Sequence, residues 1–154
     1  MQAMRYAAVA ALVLAAGCGG GSPESGTADG PAGEPVVVQG TRAYFVVPDD
    51  GAVVTSPVRL EFGSQGVAIA AVPAEPGDTA RPGLGHYHVG VGSPCLEAGV
   101  SIPRTDAWTH LDSGDTVAEL ALPEGEHALT LLVGDDLERA IEGLCTTITV
   151  NVQG

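Results

Sequence analysis

Between about residue 41 and residue 152, apolar and polar positions alternate in short runs broken by turns. Residues 43–47 read as a strand, closed by Pro48-Asp49-Asp50-Gly51, a strong turn sequence. Residues 52–55 continue it briefly. In residues 58–62, Val58, Leu60 and Phe62 face inward, and Arg59 and Glu61 face outward. Residues 67–72 are apolar throughout and read as a buried strand. Around Gly85-His86-Tyr87-His88, the alternation gives Tyr87, Val89 and Val91 to the core and both histidines to the other face. Residues 116–122 send Ala118, Leu120 and Leu122 inward. Residues 127–133 do the same with Leu129, Leu131 and Val133, and residues 146–152 with Ile148, Val150 and Val152. No stretch carries a long 3.6-residue apolar period; residues 135–141 have room for one helical turn. Some seven short strands in about 110 residues predict an all-β fold, an antiparallel immunoglobulin-like sandwich. A closed barrel is the alternative.

The chain of 154 residues has the length of one ordinary domain. Hydrophobic residues make up 45%, enough to bury a core, but aromatics only 4%, so Val, Leu, Ala and Ile must fill it. Gly 22 and Pro 11 argue against a helical bundle, since both break helix interiors. Nineteen acids against six basic residues, all Arg, give a net charge of -13. Nucleic acid is excluded as a partner, because phosphate binding needs clustered Lys or Arg.

The first residues are an address. After Arg5, residues 6–16 carry no charge. That run is too short for a membrane span, which needs ~20 apolar residues. It ends in Leu14-Ala15-Ala16-Gly17-Cys18, which resembles the lipobox of bacterial lipoproteins. The resemblance implies cleavage before Cys18, diacylglycerol on its thiol and a mature N-terminus there; an ordinary secretory signal is the other reading. Residues 18–40, opening with Gly19-Gly20-Gly21-Ser22-Pro23, read as a flexible linker reaching ~25 Å on average. The expected plan is a signal peptide over 1–17, a lipid-anchored linker over 18–40 and a β-sandwich over 41–154. Expected localisation is the cell envelope, facing the periplasm or exterior. Gly19 after the cysteine, in place of Asp, points to the outer membrane where a cell has one. The mature chain keeps five Arg against nineteen acids, a charge of -14. Such a body is repelled by anionic headgroups, so the membrane is met through the lipid.

With Cys18 lipidated, Cys95 and Cys145 remain, an even number in an oxidising compartment. A disulfide between them is expected, closing a loop of about fifty residues and contributing ~4 kcal/mol in the chain-entropy model. Two separate buried thiols, or a bridge that opens as a redox switch, are the other readings. Cys145 has the parity opposite to Ile148, so the bridge should lie off the core and pin residues 93–106.

His86 and His88 share one strand face, with Cα atoms ~6.6–7 Å apart, close enough for two imidazoles to meet one metal ion. They are expected on the outer face, or on the floor of a groove made by residues 73–84. Gly85 and Gly90 leave little bulk beside them, which predicts an accessible pair. His110 and Glu119 are the nearest candidates for a third ligand, with Glu138 a further one; His110 is the one expected. A solvated pair, or one bonded to loop backbone, is the plain alternative. His127 follows a tight turn and should hydrogen-bond that corner. Met occurs only at Met1 and Met4, inside the signal, so a Cu(I) site lacks its thioethers; Zn2+ or Cu2+ suits imidazole and carboxylate better. No nucleophile elbow, CxxC, P-loop or dinucleotide fingerprint appears, and no enzyme is expected. The acidic pairs Asp49-Asp50 and Asp135-Asp136 sit beside Gly and read as solvated turns.

Several segments carry a family resemblance. Pro48-Asp49-Asp50-Gly51-Ala52-Val53-Val54 with Ser56-Pro57-Val58 resembles the opening of a bacterial family of unknown function, domain-of-unknown-function family 4399. Gly85-His86-Tyr87-His88 resembles its Gly-His-His-His signature, and His110 with Gly114 and Thr116 a second histidine station. Leu122-Pro123-Glu124-Gly125-Glu126-His127-Ala128-Leu129 resembles its turn-and-strand motif, followed by Gly134-Asp135 where the family has a Gly-Asp pair. The likeness covers about residues 44–152. Tyr87 stands where the family has a middle His, and Glu138 where many members have a His; the segment carrying Cys95 departs too. The resemblance implies a fold and a compartment but no activity. The expectation is a non-catalytic envelope binding module for an unidentified protein or small ligand. The alternative is a Zn- or Cu(II)-binding protein using His86, His88 and His110.

Overall fold

The computed structural model describes residues 40–154 apart from residue 76. The expected signal peptide, Cys18 and most of the linker lie outside the described residues. Nine strands form, two more than the alternation suggested: β1 (Arg42–Val47), β2 (Ala52–Val54), β3 (Val58–Gln65), β4 (Ala68–Ile69), β5 (Leu84–Val91), β6 (Trp108–His110), β7 (Val117–Leu120), β8 (Gly125–Gly134) and β9 (Ala140–Val152). They make a sandwich. One sheet has the order β1-β3-β7; the other runs β2-β9-β8-β5-β4, with β6 also paired to β5. Most pairs are antiparallel, but β2 joins β9 and β4 joins β5 in parallel. Of the apolar run 67–72, only Ala68–Ile69 is strand, and it is not buried. The helical turn allowed over 135–141 is instead a tight reversal between β8 and β9.

The inner faces follow the alternation. Val58, Leu60 and Phe62 meet Tyr87, Val89, Leu129, Leu131, Val133, Leu144 and Val150, all buried in one cluster. Phe62 stacks on Tyr87 at 5.3 Å between ring centroids, standing in for larger aromatics that the composition withholds.

The outer face of the larger sheet is covered as well. Residues 92–107 cross it as a roof and form a second apolar cluster: Ile102 and Trp108 over Leu132 and Ala140, with Leu96 and Cys145 beside them. Gly90 permits this, because a Cβ there would stand 3.0 Å from the Trp108 ring. The Cys95–Cys145 disulfide pins the roof, off the main core as parity required. Thr130 Oγ1 donates to Ser93 O at 2.5 Å, and the amide of Ile102 to Glu138 O at 2.7 Å.

Candidate metal centre

His86 and His88 point to the outer face of β5, and the roof seals them: both are 0% exposed. The accessible pair expected from small neighbours is therefore not found. The roof lies beside His88, and Arg81 from residues 73–84 reaches the neighbouring turn through Asp136. Register builds the rest. His88 pairs across to His110 on β6. The Leu111 amide bonds Tyr87 O, which carries the antiparallel ladder one step on and sets Asp112 beside His86. Leu111 goes to the inner core while His110 and Asp112 share the outer face with the histidine pair.

The fifth group arrives from the β8–β9 reversal. Asp135 Oδ1 accepts from the amides of Leu137 and Arg139, and Asp135 also pairs with the Arg139 side chain. Asp136 is buried and takes a bidentate Arg81 guanidinium, plus the Arg81 amide. These acids clamp the turn; they are not solvated. The Arg81 hydrogen bonds hold the Asp136 carboxyl down at about 2. Glu138 follows with φ 59°, a left-handed conformation that a glycine normally supplies. Holding a long side chain there costs about 1 kcal/mol or more, and such strain gathers at functional sites.

The strained turn aims the Glu138 carboxylate at the histidines. Its Oε2 accepts from His88 Nε2 at 2.9 Å and meets His110 Nδ1 at 2.9 Å. Its Oε1 accepts from Arg104 Nη2 at 2.7 Å and lies 3.5 Å from His86 Nε2. Arg104 also donates to Asp112 Oδ2 at 3.0 Å. Asp112 Oδ1 lies 3.7 Å from His86 Nε2. Burial alone would raise the Glu138 carboxyl, but the His88 hydrogen bond and the surrounding imidazoles override it and bring it to about 2. Burial pushes the His88 imidazole down to about 4, so it is neutral near pH 7.

Among the described residues, several buried polar atoms have no hydrogen-bond partner: both nitrogens of His86, Nδ1 of His88 and Oδ1 of Asp112. Each such atom costs ~1–3 kcal/mol. Donor atoms of His86, His88, Asp112 and Glu138 all lie within 4.8 Å of one another. Tetrahedral zinc with bonds of ~2.0–2.2 Å sets its ligands about 3.3–3.6 Å apart. The 3.5 Å separation of His86 from Glu138 falls in that range and the 3.7 Å one from Asp112 lies just above it; the 2.9 Å His88–Glu138 contact would widen on binding, and pairs nearer 4.8 Å would close. The orphaned donors therefore fit a divalent cation.

His110 stands beside the pair, its ring 4.5 Å from that of His88, but both its nitrogens are engaged. Nε2 faces Pro103 O at 3.2 Å; a carbonyl only accepts, so this nitrogen carries a proton, and Nδ1 lies against Glu138. The converging set is thus the two strand histidines with Asp112 and Glu138, and His110 supports Glu138 from behind. Asp112 escaped the sequence reading, although its two-residue spacing from His110 repeats that of His86 and His88. Glu119 lies on β7 in the other sheet. His127 Nε2 donates to Pro123 O at 2.8 Å, the corner bond expected of it. A separate apolar groove of about 520 Å3, lined by residues such as Val47, Pro48, Val54 and Pro57, holds none of these groups.

The family model described as Domain of unknown function (DUF4399) matches residues 60–153, which include every residue of this cluster. No curated protein and no solved structure matches the chain significantly.

Proposed function

As the chain belongs to the family Domain of unknown function (DUF4399), whose name carries no activity, we propose its function from the cluster itself: a lipid-anchored envelope module that binds one divalent transition-metal ion, Zn2+ or Cu2+. The observation that carries this reading is that His86 Nε2 and Asp112 Oδ1, both buried without a hydrogen-bond partner among the described residues, converge with the donor atoms of His88 and Glu138. Two neutral imidazoles and two carboxylates offer a charge of about -2, which a divalent cation balances while Arg104 keeps its outer carboxylate oxygens. Nitrogen and oxygen donors without a free thiolate favour Zn2+ or Cu2+ over Cu(I). The ion reaches the site past Asp112, 44% exposed, and Arg104, 59% exposed, because the histidines themselves are sealed. The module binds and does no bond-breaking chemistry in this reading. The string Leu14–Cys18 supports the anchor.

Calorimetric titration of the metal-stripped protein with Zn2+ or Cu2+ is expected to show one site per chain. Asp112→Asn and Glu138→Gln should each weaken it at least ~10-fold. No heat of binding, or affinity unchanged in both variants, would overturn the proposal. Intact mass of membrane-extracted protein should show acyl groups on Cys18; a water-soluble protein with an unmodified N-terminus elsewhere counts against the anchor.

A further inference from the structure

One cross-strand row on the outer sheet face runs from the disulfide to the centre. Cys145 on β9 pairs with Leu132 on β8, Leu132 with His88 on β5, and His88 with His110 on β6. The roof spans that row. It is fastened by Cys95 at one end and delivers Pro103 O to His110, and Arg104 to Asp112 and Glu138, at the other. Between the ends, Ile102 packs on Leu132, and its amide holds the backbone of Glu138, the strained residue. The cover beside His88 and the Arg104 clamp on Asp112 and Glu138 therefore come from a segment with one covalent fastening. None of the roof's residues belongs to the inner core, so releasing the roof leaves the sandwich packing intact. Cys95 is exposed and Cys145 partly so, which puts the bond within reach of a thiol reagent.

We propose that the Cys95–Cys145 disulfide is a latch on the metal centre, and that a dithiol reductant opens it. This rests on the metal-binding reading above. In the exchange, one thiolate of the reductant attacks a sulfur of the bridge and forms a mixed disulfide, and the other protein sulfur leaves and takes a proton. The second thiol of the reductant then resolves the mixed disulfide. The chain gains two thiols and the reductant becomes a disulfide, so two electrons and two protons pass to the chain. Local opening of the roof follows, with the ligands Glu138 and Asp112 losing their Arg104 support. Metal then exchanges with solvent faster.

The test is the rate at which zinc-loaded protein yields Zn2+ to an excess of a chromogenic chelator. The protein is compared before dithiothreitol and after treatment and removal of the reagent, and with the variant Cys95→Ser/Cys145→Ser, which lacks both bridge thiols that could capture zinc. Release at least roughly ten-fold faster in both, with the far-ultraviolet sheet signal unchanged, is the expected result. Equal rates with the disulfide open and closed would overturn the latch while leaving the metal reading intact. Absence of zinc binding in the bridged protein would end both. Should the variant fail to fold, the dithiothreitol arm decides; loss of the fold there too would overturn the latch, because the bridge would then hold the whole sandwich and not its roof.

Discussion

Tyr87 and His88 are adjacent on β5 and equally buried, yet the two faces they serve are buried by different means. Tyr87 lies among regular strands of the facing sheet, where its ring meets apolar side chains and its hydroxyl reaches Ser64. His88 lies under an irregular segment fastened by a disulfide, a few hydrogen bonds and one small apolar cluster. The inner face derives its stability from area removed from water. The outer face gives some of that stability back, in orphaned imidazole and carboxylate atoms and in a left-handed Glu138. The orphaned polar atoms and the strained residue thus lie together on the outer face, where the proposed binding site sits.

The contrast breaks first at leucine. Leu131 and Leu132 are consecutive and both 0% exposed, on opposite faces. Leu131→Ala should cost ~2–5 kcal/mol in urea unfolding and leave the metal affinity of the folded protein unchanged. Leu132→Ala should cost a comparable amount and also weaken metal binding, since it removes the floor under Ile102. Equal affinities in the two variants would show that the faces are not divided in this way. Gly134→Ala tests the same division by addition. A Cβ there would stand 2.6 Å from His88 Cε1 and 2.7 Å from Ile102 Cδ1. Overpacking of ~1–3 kcal/mol is expected, with weaker metal binding because the ring must turn.

Acid should act on the outer face before the inner one. The folded His88 value, about 4, lies below the ordinary imidazole value of 6.5, so the unfolded chain takes up its proton first. The metal-free protein should lose stability as pH falls from 6.5 to about 4, and this contribution is fully present above that window. Glu138, brought from 4.5 to about 2, adds a further loss over that lower range. Denaturant midpoints of the metal-free protein against pH check this, with His88→Gln expected to flatten the upper window. The smallest effect belongs to His127, whose corner bond is made and whose surroundings are open. His127→Ala should cost about 0.5–1.5 kcal/mol and change metal affinity not at all.

The two faces also differ in how much of them is legible in the sequence. Val58, Leu60, Phe62, Leu129, Leu131 and Val133 all fall where period-two alternation puts them, because regular strands turn sequence parity directly into direction. The same parity sends His86 and His88 to the outer face correctly. It carries no information on what covers that face: residues 92–107 have no period, and their course is set by tertiary hydrogen bonds and the bridge. The parity of Cys145 alone located the bridge. Glu138 was legible only as an additional candidate, because its turn uses a glycine conformation without a glycine. β6 has three residues, too few to show a pattern, so the pairing that brings Asp112 to His86 left only the repeated two-residue spacing as a trace.

The centre draws on residues 86, 88, 112 and 138, held by groups from residues 81, 104 and 110. None of these is placed by local chain geometry alone. Their meeting requires the β5–β6 and β5–β8 pairings, which join residues distant in sequence and are slow to form, together with the β8–β9 hairpin. In the proposed role, a chain exported unfolded would cross the membrane without this centre. It would then take up the ion present where the last of those pairings closes, so the place of folding would select the metal as much as the ligands do.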